Sequence, residues 1–470
     1  MRQLSGVDAM HIIEESRRQH MHTIKIAILG PRDGAPVPAE EIREWARERL
    51  PRIPAMRWLV HKVPAGLGRP YFSDPGVLDV DPLIDVVQLS GPGGDAQSSD
   101  ERSSDAEFDA VVSRVASVQL PRHRPLWDLT IVEGMSGDRV GLIFKIHHAI
   151  MDGQASVRFF EIAFDGAAEM PFGAPPGSGE VRPTGSDLVR LALRSQAQLY
   201  GQLPKVVKRT LASGKANRAL KASGAPTVVN PMSGPSARFN KLPQPERIYV
   251  DVTIPFDEIK AVKDLAGVTV NELWVAVCGG AIRRYLEANN EVPTRGMNCA
   301  HPISLRKPEE IDDFGNKTSY WYVALGTDIA DPLERLAAVK ESLDAAKAWA
   351  QGDQELFAVW QDYYLLFGKL TLKMLTVAEK VAKRPLFNAV VSNVRGPRAL
   401  SLAGAPVVAV RSMGPITRTL GLNMTAWSYG ENFSIGLQSC TDFMPDLRSM
   451  DGHIRDELDA YKKALANSVS

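Results

Sequence analysis

Apolar and polar positions along the chain alternate in short runs or recur near every 3.6 residues, and the two patterns are interspersed from end to end. Residues 128–133 and 140–146 read as strands separated by a Gly-containing turn, and residues 40–50 and 108–120 read as helices. Further on, 247–253 and 321–325 read as strands and 271–286 as a helix. The stretch 354–383 reads as one long helix carrying an aromatic and aliphatic stripe of Phe357, Trp360, Tyr363, Tyr364, Leu366, Phe367, Leu370 and Met374. Such a stripe belongs to a core, or in part to the lining of an apolar tunnel. The pattern predicts an α/β protein without the regular strand–helix–strand spacing of a doubly wound sheet.

Two Pro/Gly-rich stretches, 171–186 and 222–245, interrupt these patterns and mark boundaries. Between them, residues 187–221 have apolar positions at Leu188, Leu191, Leu199, Leu203, Val206 and Val207, which predicts a helix that Pro204 kinks or divides. The expected organisation is therefore a first half (1–170), a helical connector (171–245) and a second half (246–470).

A chain of 470 residues, 44% of them hydrophobic and 23% charged, is long enough for two or three cores and too apolar to be disordered throughout. The 55 basic and 55 acidic residues cancel, which argues against a nucleic-acid binder. The cancellation is uneven. Between Leu188 and Pro245 lie ten basic residues (Arg190, Arg194, Lys205, Lys208, Arg209, Lys215, Arg218, Lys221, Arg238 and Lys241) and no acidic one, so 45 basic face 55 acidic residues elsewhere. Cys278, Cys299 and Cys440 are widely spaced, with no CxxC, and support neither a disulfide framework nor a zinc knuckle; a reducing, cytoplasmic setting is expected. The first 22 residues carry Asp8, Glu14 and Glu15 and lack the apolar core of a signal peptide, and no run of about 18 apolar residues predicts a spanning helix.

The strongest chemical signal is His147-His148-Ala-Ile-Met-Asp152-Gly153, directly after the second predicted strand. An imidazole can accept and return a proton near neutral pH, and a strand end is a rigid place to hold one. Neighbouring side chains on extended backbone point to opposite faces, so one His faces a substrate while the other packs. Gly153 is expected to supply a positive backbone torsion in the turn that Asp152 closes. A metal reading needs His147, His148 and Asp152 to converge despite those opposed directions, and no metal is expected. No GxSxG elbow accompanies the motif and no Cys is near it, which disfavours a covalent acyl-enzyme.

HHAIMDG matches the HHxxxDG signature of acyltransferases with the chloramphenicol acetyltransferase-like fold. The other blocks resemble those of the bacterial wax ester synthase/diacylglycerol acyltransferases: Leu4-Ser5-Gly-Val-Asp8 with Met21-His22, Pro125-Leu126-Trp127 with Glu133-Gly134, Asn271-Glu272 where that family has Asn-Asp, Phe314-Gly315-Asn316, and Ser392-Asn393-Val394-Arg395-Gly396-Pro397. The resemblance covers nearly the whole chain, in order. It implies two chloramphenicol acetyltransferase-like domains, with mixed sheets flanked by helices, joined by the basic helical connector and enclosing a tunnel.

The resemblance also implies a cofactor-independent O-acyltransferase, with acyl-CoA as a substrate and a long-chain alcohol or diacylglycerol as acceptor. His148 corresponds to the general base, with His147 packing and Asp152 holding the motif, a buried Arg of unnamed position being its candidate partner; Asn271 is the candidate oxyanion donor or else a helix N-cap. Trp127, Ser392, Asn393 and Gly396 are the candidate substrate contacts, although Trp127 reads more readily as a core aromatic beside the sheet. Greasy substrates call for a peripheral approach to the inner membrane face or to lipid droplets, which the basic connector can supply. Its alternative partner is the acidic remainder of the protein. Two other readings remain at this stage: a condensation-type or polyketide-associated acyltransferase using a carrier-protein thioester, and a noncatalytic lipid-droplet coat protein.

Overall fold

The computed structural model describes residues 1–90, 100–166, 169–177, 179–223, 228–292, 294–364 and 369–469. Two six-stranded mixed sheets form its framework. The first runs Ser401–Leu402, Ala405–Met413, His22–Leu29, Arg139–His147, Trp127–Met135, Ile84–Gln88, with only its last pair parallel. In the second, Ala389–Arg395 lies parallel to both of its neighbours in the order Thr318–Ala324, Asn298–Ser304, Ala389–Arg395, Asn423–Tyr429, Asn432–Cys440, Arg247–Pro255. A three-stranded sheet joins Arg2–Gln3, Tyr71–Ser73 and Leu59–His61.

Arg139–His147 is buried along nearly its whole length, because it sits inside its sheet with both faces covered. Helix Gly153–Ala163 covers one face through Phe159 and Phe160, and helix Asp100–Ala116 covers the other through Phe108 and Val112. Arg247–Pro255 instead alternates buried and partly exposed positions, as an edge strand does.

The predicted strands are present with longer ends (Trp127–Met135, Arg139–His147, Arg247–Pro255), and Thr318–Ala324 replaces 321–325. Helices Ala39–Arg49 and Val270–Ala288 fall where the periodicity places them, while the third begins earlier than expected, as Asp100–Ala116. Three expectations change. The stretch 354–383 belongs to two helices, Pro332–Tyr364 and Lys369–Ala382; the stripe side chains from Phe357 to Leu370 lie outside the described ones, and Met374 is exposed. Pro204 lies within one continuous helix, Gly185–Ala222, and does not divide it. The boundary at 245 does not separate the sheets either: Ala405–Met413 pairs antiparallel with His22–Leu29, so a strand from the second half completes the first sheet.

No single helix among the described residues is long and apolar enough to cross a membrane. A bent pair, Phe256–Ala266 with Val270–Ala288, meets that test only in combination, and the longer helix carries the buried side chains Leu273 to Ile282 of the second core.

Candidate active site

A cavity of about 1330 Å³ lies between the two sheets and receives side chains from both halves and from the connector helix. His148 lines it. Strand Arg139–His147 ends one residue earlier, and the His148 backbone N–H donates to the Met21 carbonyl at 2.8 Å, which carries the sheet's geometry to the imidazole.

The two histidines diverge as extended backbone requires. His147 is fully buried, its Nδ1 accepts the Ala149 N–H at 3.1 Å, and its Nε2 lies 3.5 Å from Glu15 Oε1. Burial pushes the Glu15 carboxyl up, but His147 and Arg122 outweigh it and hold Glu15 well below the usual carboxylate range. His147 thus packs against a fixed negative charge on the side away from the cavity.

His148 Nδ1 lies 3.0 Å from Asn316 Oδ1. The orientation of that amide is set on its other side: Asn316 Nδ2 donates to Asp8 Oδ1 at 2.8 Å and to the His148 carbonyl at 2.5 Å, and the Asn316 backbone N–H donates to Asp8 Oδ1 at 2.9 Å. The Asn316 oxygen must therefore accept, so His148 Nδ1 carries the proton and Nε2 is left as the basic nitrogen. Burial and then the charge of Lys25 push His148 down to about 4, which keeps the ring neutral at physiological pH.

Lys25 is a buried lysine on the cavity wall. Its Nζ donates to Ser412 Oγ at 2.7 Å and sits 5.2 Å from the centre of the Trp427 ring. Burial pushes it down to about 7, partly countered by Asp152. We predict that Lys25→Met moves the acid limb of the kcat/KM profile upward from near pH 4 toward the ordinary imidazole value, because Lys25 is charged throughout that range and its removal eases protonation of His148. A limb that stays in place in the variant's pH–rate profile would refute the coupling.

Asp152 makes no hydrogen bond to His148 and instead clamps the motif. Its Oδ1 accepts the Ala155 N–H at 2.8 Å, capping helix Gly153–Ala163, and its Oδ2 accepts Arg306 Nη2 at 3.0 Å and the Lys317 N–H at 2.9 Å. Arg306 is the buried Arg the sequence left unnamed, and it also holds the carbonyls of Glu310, Asp313 and Gly315. Gly315 N–H donates to the Ile150 carbonyl at 2.6 Å, and its φ of +99° favours glycine. The bonds from Arg306 and Lys317 to Asp152 and from Gly315 to Ile150 tie the motif to the second half.

Several expected residues stand elsewhere. Gly153 lines the cavity but is not among the positive-φ glycines; it begins a helix, and a Cβ there would meet Val394 Cγ2 at 3.2 Å, so space and not torsion favours glycine. Asn271 does not line the cavity. It is the second residue of helix Val270–Ala288, whose N-cap is Thr269, with Glu272 completing a capping box through the Thr269 N–H at 2.7 Å. Trp127 is wholly buried in the first core, its indole N–H donating to the Met56 carbonyl at 2.7 Å, and cannot touch substrate. Ser392 and Asn393 do line the cavity, whereas Gly396 packs against the Ser428 carbonyl outside it. Among the described residues, no group of three His, Cys, Asp or Glu side chains gathers to hold a metal.

The sequence profile of the wax ester synthase/diacylglycerol acyltransferase catalytic domain matches residues 4–274, and that of the WS/DGAT C-terminal domain matches 314–462. The chain belongs to the wax ester synthase/diacylglycerol acyltransferase family. It is an acyltransferase by that membership. A Mycobacterium tuberculosis (H37Rv) relative carrying the name "Putative diacyglycerol O-acyltransferase" is 32% identical over 446 residues, covering 93% of this chain and 91% of its own. A second relative of the same name and organism is 29% identical over 444 residues, with coverages of 93% and 91%. In fold, the acyltransferase is similar to the wax ester synthase/diacylglycerol acyltransferase from Marinobacter aquaeolei VT8 (TM-score 0.67, 22% identity, covering 99% of this chain and 100% of that one). It is also similar to the first condensation domain of the calcium-dependent antibiotic synthetase (TM-score 0.59, 14% identity, coverages 98% and 96%). These likenesses establish the chloramphenicol acetyltransferase-like arrangement; the family profiles separate this acyltransferase from the condensation domains that share it.

Proposed function

We propose that this acyltransferase moves a fatty acyl group from acyl-CoA to the hydroxyl of a long-chain alcohol or diacylglycerol, with His148 as general base and no acyl-enzyme. His148 Nε2 takes the acceptor's proton as its oxygen attacks the thioester carbonyl carbon. The carbonyl electrons move onto oxygen; on their return the C–S bond breaks, and the imidazolium gives its proton to the departing thiolate. The observation that carries this reading is the Asp8–Asn316–His148 chain, which holds the proton on Nδ1 and leaves Nε2 basic in the cavity.

The low proton affinity that burial and Lys25 impose on His148 suits the second transfer, since the imidazolium releases its proton readily. A direct transfer is supported by the cysteines as well. All three are buried, none lines the cavity, and burial pushes the Cys278 and Cys299 thiols up, away from the reactive thiolate.

The acceptor and acyl chain are apolar, and the rim of the cavity supports entry from a lipid surface. Val207 and Leu211 of the connector helix and Met374 of helix Lys369–Ala382 line the cavity and are also exposed, beside the basic residues of the connector. A Lys or Arg near an anionic membrane contributes about 1 kcal/mol, so a few suffice for reversible adsorption. In this reading the protein works peripherally, at the inner membrane face or on lipid droplets.

One assay tests both parts. Purified protein is offered palmitoyl-CoA with hexadecanol and diacylglycerol side by side in anionic vesicles at low and high salt, and products are separated by thin-layer chromatography. Wax ester or triacylglycerol is expected without a burst of free CoA before acceptor is added, and high salt is expected to release the protein from the vesicles. A CoA burst overturns direct transfer, and salt-insensitive adsorption overturns electrostatic docking.

A further inference from the structure

His11 stands in the catalytic cavity with work that the reaction above does not use. It lies on helix Gly6–Glu14, one turn after Asp8, on the helix face that also reaches Asn316. Its ring stacks on that of His148, with centroids 4.5 Å apart and planes inclined by 29°. Only 3% of the residue is exposed, yet neither ring nitrogen has a hydrogen-bond partner among the described residues. A buried polar atom left unpaired is costly, and such groups in folded proteins call for a partner of some kind. Burial and the neighbouring His148 and His147 push the His11 ring well below its ordinary value, so it is neutral and presents one donor and one acceptor.

Stacking sets what that partner can be. The two stacked imidazoles, 4.5 Å apart, both line the cavity, so a ligand whose hydroxyl meets His148 Nε2 brings its next carbon close to the His11 ring. A simple alkanol has no second polar atom and leaves both His11 nitrogens unpaired. A partial glyceride has an ester group on the adjoining carbon, whose carbonyl oxygen accepts one hydrogen bond from an imidazole N–H.

We propose that His11 is the second polar contact of the acyl acceptor, its N–H donating to the ester oxygen beside the reacting hydroxyl, and that it thereby favours partial glycerides over simple alkanols. This assignment rests on the acyl-transfer reading and adds a specificity-determining residue to it. A site that expects a hydrogen-bonding group discriminates against the analogue lacking it, because its own polar atom is then left bare.

The test compares kcat/KM for diacylglycerol and for hexadecanol in the unaltered protein, His11→Phe and His11→Gln. Phe keeps a ring against His148 without the nitrogens, and Gln restores a donor. We expect the diacylglycerol-to-hexadecanol ratio to fall about tenfold or more in His11→Phe, and to stay within about threefold of the original in His11→Gln. His11→Leu gives the same readout if Phe is not accommodated. An unchanged ratio in His11→Phe, or an equal fall with both acceptors, overturns the proposal, the latter because the ring would then serve only to seat His148. Failure of the unaltered protein to make either ester overturns the acyl-transfer reading and this assignment with it.

Discussion

Replacing His148 with Ala is expected to lower acyl transfer by about 10²-fold or more while leaving the fold intact. General acid–base groups contribute on the order of 10²–10⁴-fold. His147 faces Glu15 away from the cavity, and Lys25 Nζ is engaged with Ser412 Oγ. The ring is partly exposed, lines a cavity and stacks on His11, so truncation leaves space that solvent can enter. The purified variant should keep the thermal midpoint of the parent within a few degrees and lose turnover with both acceptors. Near-normal turnover would sink the general-base mechanism.

Asp152→Ala is expected to act on stability. The substitution removes the cap of helix Gly153–Ala163 and leaves Arg306, only 6% exposed in its side chain, without its carboxylate. Removing one member of a buried pair costs about 3–5 kcal/mol, because the other charge stays buried and unpaired. The loss should appear as a lower denaturant midpoint with an unchanged slope. Arg306→Ala should lose a similar amount, and the double variant less than the sum, since each single change already breaks the contact. Strictly additive losses would mean that the two residues stabilise the fold independently.

The parts of the site that were legible in the sequence are those in which one short segment carries both the chemistry and its geometry. His147, His148 and Asp152 announce a strand end followed by a turn, and extended backbone alone requires the two rings to diverge. The partners were hidden because the chain supplies them from afar. His11, Lys25, Arg306 and Asn316 reach His148 or Asp152, and Asp8 reaches Asn316, only through the packing of a first helix and two sheets, and no local pattern reports that convergence. Asn316 stood in a recognisable block, but nothing local revealed that its oxygen would face an imidazole.

Asn271, the candidate oxyanion donor or else a helix N-cap, is not the N-cap and does not line the cavity. The better signal lay two residues earlier, where Thr269 followed three residues later by Glu272 spells a capping box and accounts for both the helix boundary and the Glu. Trp127 illustrates a different limit. An aromatic next to a strand has the same sequence signature in a core as in a binding wall, and only its hydrogen bond to Met56 inside the first core decides. The two-sheet architecture was legible from patterning and resemblance, but the contribution of a second-half strand to the first sheet was not. Ala405–Met413 is as apolar as any strand of its own half.

That second-half strand bears on how the protein is made. Until residue 413 has left the ribosome, His22–Leu29 has no neighbour on one side, and its unpaired edge of backbone N–H and C=O groups is open to any other extended chain. The contact closes across nearly 390 residues, the kind of distant pairing that slows folding and prolongs exposure of sticky surface. The first half therefore cannot complete its sheet during synthesis until that late strand is available, whereas the second sheet draws all its strands from its own half.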